Sequence, residues 1–131
     1  ILEKYPDLKF ITHHCGAMIP YFSERITVGQ DYAELHLNAK WKRVLSKPPI
    51  DYFRQFYGDT ALNGNTAGLM CGYDFFGPEH IVFATDFPYD DEEGERFTRE
   101  VINAVEAMDV PDEQKYMIFE GNARKLLHLD G

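Results

Sequence analysis

Basic residues are in short supply. Thirteen Lys and Arg stand against 22 Asp and Glu, a formal charge of −9. That balance excludes the clustered positive surface that phosphate backbones require, so no nucleic-acid partner is expected. Cysteine is scarcer still. Cys15 and Cys71 form no C-x-x-C pair, which excludes a zinc ribbon and points to free thiols. No apolar run reaches the roughly 18 residues of a membrane helix. No secretory leader is visible, so no membrane partner and a cytoplasmic location are expected. Absent too are a glycine-rich phosphate loop and a G-x-S-x-G elbow, which removes the commonest nucleotide and serine-hydrolase signatures.

What is there is globular. Hydrophobic residues make up 44% and aromatics 15% of the 131 positions, enough for a real core. LKFITH, from Leu8 to His13, reads as a strand entered through the Tyr5-Pro6-Asp7 turn. Pro20 opens a helix in IPYFSERI, with Phe22 and Ile26 on one face. Residues 29–49, including Asn38 and the Pro48-Pro49 pair, read as an irregular surface excursion without helix. A second strand is expected over about Phe56 to Leu62, and a helix capped by Thr66 ends at Gly77-Pro78. HIVFATD, His80 to Asp86, is a third strand, continuously apolar and then polar at its tip. Thr98 starts a helix with Val101, Ile102, Val105 and Met108 at helical spacing. Pro111-Asp112 starts another, which Gly121 is expected to break before NARKLLHL. Strands alternating with helices predict an α/β fold of parallel units in one domain over residues 1–131.

In such folds the chemistry gathers at the C-terminal ends of strands. Two strands here end in ligand-grade groups: His13-His14-Cys15-Gly16 after the first, and Thr85-Asp86 after the third. His14 reads either as a functional group or as a histidine satisfied by backbone. Asp86 reads as a ligand, a helix cap or a turn former. His13 alternates with His14 along the strand and is expected on the opposite side. Cys15 is discounted as a soft-metal ligand because no second cysteine lies at ligand spacing. The acidic stretch Asp90 to Glu93 lacks the spacing of a calcium loop and reads as a solvated face.

Three segments together, LKFITHHCGAMIPYFSERI, HIVFATDFPYD and EGNARKLLHL, resemble the amidohydrolase-related enzymes. That group includes aminocarboxymuconate-semialdehyde, γ-resorcylate and 5-carboxyvanillate decarboxylases. The resemblance implies the C-terminal part of a distorted (β/α)₈ TIM barrel: about strands six to eight and the closing helices. It implies that Asp86, in ATDFP, binds a catalytic metal, and that His14, in THHCG, serves in acid/base chemistry. In dinuclear relatives the position of His14 binds a second metal. Arg25 matches a family arginine taken as structural. Asn63 or a neighbour stands where several relatives carry histidine or arginine, which leaves that substrate contact open. The remaining ligands of the family, an H-x-H or E-x-H pair and a further histidine, have no counterpart, since His13 and His14 are adjacent.

The resemblance further implies a divalent cation, zinc favoured and manganese the alternative. It implies a small carboxylic acid as substrate and a homo-oligomeric parent enzyme. Decarboxylation of an aromatic or enolic acid is favoured over hydrolase, lactonase or hydratase chemistry. A non-catalytic structural or interaction domain is the reading from a different class. The chain begins at Ile1 inside what reads as a helix end, so a piece of a longer enzyme is expected. The purified 131-residue chain should therefore show no metal-dependent turnover and should associate through open strand edges. Turnover by that chain, or a dispersed monomer in sedimentation, overturns the expectation.

Overall fold

The computed structural model describes residues 1–37 and 44–129. Its centre is a three-stranded parallel sheet in the order β1-β2-β3, made of Ile11–Thr12, Tyr57–Asp59 and Ile81–Val82. The register pairs Ile11 with Tyr57, Gly58 with Ile81 and Asp59 with Val82. Each strand lies inside the span its apolar run predicts and is shorter than it. The ladder ends where the strand tips turn away to carry polar groups. The Leu8 and Ile11 side chains stay about half exposed, at 48% and 51%. Burial in a parallel sheet needs a further layer or strand against this edge, and the described residues supply none.

Helices α1 (Ser23–His36), α2 (Pro49–Phe53) and α3 (Thr66–Phe76) fill the crossovers, and α4 (Glu95–Glu106), α5 (Asp112–Tyr116) and α6 (Asn122–Leu126) follow β3. Leu69, Phe75 and Phe76 of α3 meet Ala104 and Val105 of α4, with Ile81, Ile118 and Met108, in one buried cluster. The alternation of strands and helices expected from the sequence is present, and both strand pairings are parallel.

Several local expectations need correction. Helix α1 continues to His36 through residues expected to be irregular; Asn38 and residues 39–43 lie outside the described residues. The Pro48-Pro49 pair does not exclude helix: Pro49 occupies the first turn of α2, where a missing N–H costs nothing. The cap of α3 is Asn65, whose side chain accepts from the Gly68 N–H, while the Thr66 hydroxyl donates to the Ala104 carbonyl. Helix α4 starts at Glu95 rather than Thr98, because Asp90 caps it. The Asp90 carboxylate accepts N–H bonds from Glu92, Gly94 and Phe97 at 2.7–2.8 Å. Desolvation works against the charge, yet those three donors hold the Asp90 carboxyl below its ordinary value. Part of the acidic loop is thus a helix start. Gly121 does not break the last helix. The chain passes from α5 through one π-helical turn, Met117–Gly121, straight into α6, with Gly121 at φ −58° and ψ −42°. Buried Asn122 then ties α6 to the sheet, donating from Nδ2 to the Pro78 and Ile81 carbonyls at 2.6 and 2.7 Å.

One helix-to-sheet contact demands glycine. A Cβ at Gly72, midway along α3, would lie 2.1 Å from Cys15 Sγ. Cys15 is buried and also packs close to Gly58 on β2, where an added Cβ would lie 3.3 Å from its Sγ, so it has little room to give way. In a free helix Gly to Ala gains about 1 kcal/mol. Here overpacking decides the sign, and Gly72→Ala should cost about 1–3 kcal/mol in denaturant unfolding. Adding Cys15→Ala should recover much of that loss, since the Cys15 Cβ is 3.6 Å from the new methyl position. Equal or higher stability for the single variant would refute the packing.

Candidate active site at the strand tips

All three strands end at the same edge of the sheet, and each tip carries polar side chains. At β1 the chain enters a run of left-handed residues: His14 (φ 53°), Cys15 (52°), Gly16 (75°) and Ala17 (52°). Only Gly16 takes such a conformation freely; the other three carry strain of order 1–3 kcal/mol each and need outside support. That support comes from β2. Asp59 is buried, and its Oδ1 accepts from the N–H groups of Cys15 and Ala61, both at 3.1 Å. Oδ2 faces the His13 Nδ1 at 3.5 Å, with the His13 ring 85% exposed. Such an exposed partner is worth little, so the two backbone donors carry the burial of Asp59.

His14 itself is solvent-exposed, and its Nδ1 lies 2.9 Å from the Ala61 carbonyl oxygen. A carbonyl only accepts, so Nδ1 carries the hydrogen and Nε2 is left open when the ring is neutral. His14 borders a cleft between β1 and α3, with Tyr21, Asn65 and Cys71. Asp86 stands at the β3 tip with φ 66°, half-buried, and its carboxylate has no hydrogen-bond or ion-pair partner among the described residues. It lines a cavity of about 500 Å³ together with Ile11, His13, Asp59, Thr85 and Phe87.

The two residues singled out from the sequence therefore lie on the two outer strand tips, with β2 between them, and border different hollows. His13, expected on the far side, shares the cavity with Asp86. The alternation behind that expectation holds only while the backbone is extended, and it stops at left-handed His14. Sequence reasoning passed over Asp59 and Thr60. Thr60 is fully buried; its hydroxyl donates to the Ala84 carbonyl and accepts from the Ala84 N–H, bridging β2 to β3. The missed signal was a polar Asp-Thr pair at the end of the second apolar run, in the place where the other two strands were searched.

Among the described residues no three His, Cys, Asp or Glu side chains gather closely enough to hold a metal ion. The uncommitted Asp86 carboxylate fits a single oxygen ligand of a divalent cation. Cys15 does not fit: burial, and then the nearby Asp59 charge, push its thiol up to about 12, and a thiol is a poor ligand.

Comparison with known proteins agrees with this arrangement. The Amidohydrolase family model matches residues 1–129, and the chain belongs to that family. The 6-methylsalicylic acid decarboxylase of Penicillium expansum is 32% identical over 127 residues, covering 96% of this chain and 36% of the relative. The crystal structure of 5-carboxyvanillate decarboxylase from Sphingomonas paucimobilis superposes with a TM-score of 0.80 at 25% identity, over 97% of this chain and 36% of that one. Dihydroxybenzoic acid decarboxylase from Polaromonas sp., solved with manganese and the inhibitor 2-nitroresorcinol, gives 0.77 at 27% identity, over 99% and 36%. The chain spans little more than a third of the length of these proteins. None of its described helices is long and apolar enough to cross a membrane.

Burial makes the two thiols differ. Cys15 should stay unmodified by iodoacetamide at pH 8 in the folded protein, while the less buried Cys71 reacts. The folded-state value of Cys15 lies above its ordinary 9.0, so its share of stability is whole below pH 9 and is lost as pH rises toward about 12. Removing the thiol with Cys15→Ala should flatten the alkaline limb of a stability-versus-pH curve; an unchanged limb counts against the assignment.

Proposed function

We propose that this chain supplies the proton-transfer histidine and one metal ligand of a metal-dependent decarboxylase acting on a carboxylated aromatic acid. The observation that carries the reading is the uncommitted Asp86 carboxylate on a strand tip, two strands from a histidine with an open ring nitrogen. Similarity to decarboxylases along nearly the whole chain supports it. On this reading residues 1–131 are one partial domain, corresponding to strands six to eight of a (β/α)₈ barrel with its closing helices. The other strands would cover Leu8 and Ile11 and bring the other ligands. The parent enzyme is cytoplasmic and homo-oligomeric.

Asp86 would hold the cation through a carboxylate oxygen. Manganese, present in the Polaromonas relative, is favoured over the zinc expected from ligand chemistry alone. A bound divalent cation would supply a positive charge that polarises a substrate oxygen and steadies the anion left when CO₂ departs. Loss of CO₂ leaves an electron pair on ring carbon, and a proton must reach that carbon. His14 is suited to carry it: its Nδ1–H is committed to the Ala61 carbonyl, and Nε2 is left open to hand a proton on. Cavity walls of Ile11, Phe87 and Ala84 are apolar and suit an aromatic ring, with polar groups confined to the strand tips.

The test uses the full-length protein loaded with manganese and a panel of hydroxybenzoates, with CO₂ release as the readout. Asp86→Asn should lose bound metal and activity together. His14→Gln should keep metal and lower kcat by about 10²- to 10⁴-fold. Wild-type turnover by His14→Gln refutes the assignment, and hydrolysis of lactones without CO₂ release moves the protein to the hydrolase branch.

A further inference from the structure

The proposed chemistry uses His14 and Asp86 and leaves Asp59 without a role, yet Asp59 is the one fully buried carboxylate at the strand tips. Its side chain is 4% exposed, and among the described residues no buried cation offsets the charge; the facing His13 ring lies in solvent. An unpaired buried carboxylate is costly unless backbone donors satisfy it. Both donors to Asp59 belong to segments that touch His14. The Cys15 N–H is the next peptide group along the chain, within the left-handed turn that presents the imidazole. The Ala61 N–H belongs to the residue whose carbonyl receives His14 Nδ1. One oxygen, Oδ1, therefore pins both ends of the short bridge that orients the ring.

We propose that Asp59 is a positioning residue for His14: by clamping the Cys15 and Ala61 peptide groups it holds the imidazole in the Nδ1–H tautomer and keeps Nε2 open for proton transfer. This rests on the reading of His14 as the proton-transfer group. The pairing is specific in its demands. An oxygen at the Oδ1 position is required, because both partners are N–H donors. The negative charge is not, because the group that faces it, the His13 ring at 3.5 Å, is 85% exposed and solvated by water. Asn keeps such an oxygen in nearly the same place, and Ala keeps none. Without the clamp the left-handed run His14–Ala17 loses its only hydrogen bond to a β2 side chain among the described residues, and the ring is free to exchange tautomers.

The experiment compares Asp59→Ala and Asp59→Asn in the full-length manganese enzyme. Steady-state kinetics are measured on the hydroxybenzoate that wild type turns over fastest. Ring ¹⁵N NMR of histidine-labelled protein is recorded alongside, with His14 assigned through His14→Gln. The expected result for Asp59→Ala is a fall in kcat of about 10- to 100-fold, the usual cost of removing a group that orients a working histidine. KM should stay within about threefold, and the His14 ring nitrogens should shift from one tautomer to a mixture. Asp59→Asn should restore both readouts. Should Asp59→Ala not accumulate folded, Asp59→Ser replaces it, since its shorter side chain reaches at most one of the two N–H groups. Equal losses in the Asn and Ala variants overturn the proposal, because the charge would then be what acts. A lowered Tm with unchanged kcat and an unchanged His14 tautomer also overturns it, because the role would then be structural alone. The NMR arm needs no turnover, so a protein without decarboxylase activity defeats the functional reading while the clamp is still judged by the ring nitrogens.

Discussion

The left-handed turn after β1 depends on being held from two sides at once. Three of its four residues carry side chains in a backbone region that disfavours them, and such a turn persists only where its surroundings leave no alternative. Cys15 supplies one hold, its side chain set between Gly58 of β2 and Gly72 of α3. Asp59 supplies the other, through the Cys15 N–H. The first is steric and apolar, the second polar and directional. Together they fix where the imidazole of His14 stands relative to the sheet. The two glycines and the buried carboxylate thus act on the site although none lies in a motif that announces function.

The rest of the molecule secures the frame for that turn. Thr60 spans β2 and β3 with one hydroxyl used as donor and acceptor, so the tips carrying Asp59 and Asp86 share a bond. Asn122 joins the final helix to the start of β3. Each of these polar groups is buried and satisfied by backbone, which makes the tip geometry stiff. The opposite condition holds at the outer edge of β1, where apolar side chains meet solvent. A site built at strand tips, with an apolar flank open on one side, is what a segment of a larger closed sheet presents.

Helices and strands were legible in the sequence where hydrophobic periodicity was strong, as in HIVFATD and along α4. Reading failed where a local rule met a stronger partner. Pro49 was taken as a breaker, but the first helical turn needs no N–H from it. Gly121 was taken as a break, but the backbone stays helical through a π turn, and the buried Asn122 that follows ties the segment to the sheet. Asp90 was taken for solvated charge, although three backbone donors converge on it. In each case the deciding contact was a hydrogen bond or packing interaction that residue type alone does not display.

His14 and Asp86 could be singled out because a polar tip after a long apolar run is unusual in one dimension as well as three. The apolar runs, the polar tips and the alternation of strand and helix, which together define the parallel α/β frame and the family, are properties of the sequence by itself. Tertiary structure alone decided which groups share a hollow. It placed His13 rather than His14 beside Asp86, committed one nitrogen of His14 to a carbonyl 47 residues away, and made Asp59 the anchor of both. The physical reason is that alternation describes an extended backbone, and the chain stops being extended at His14.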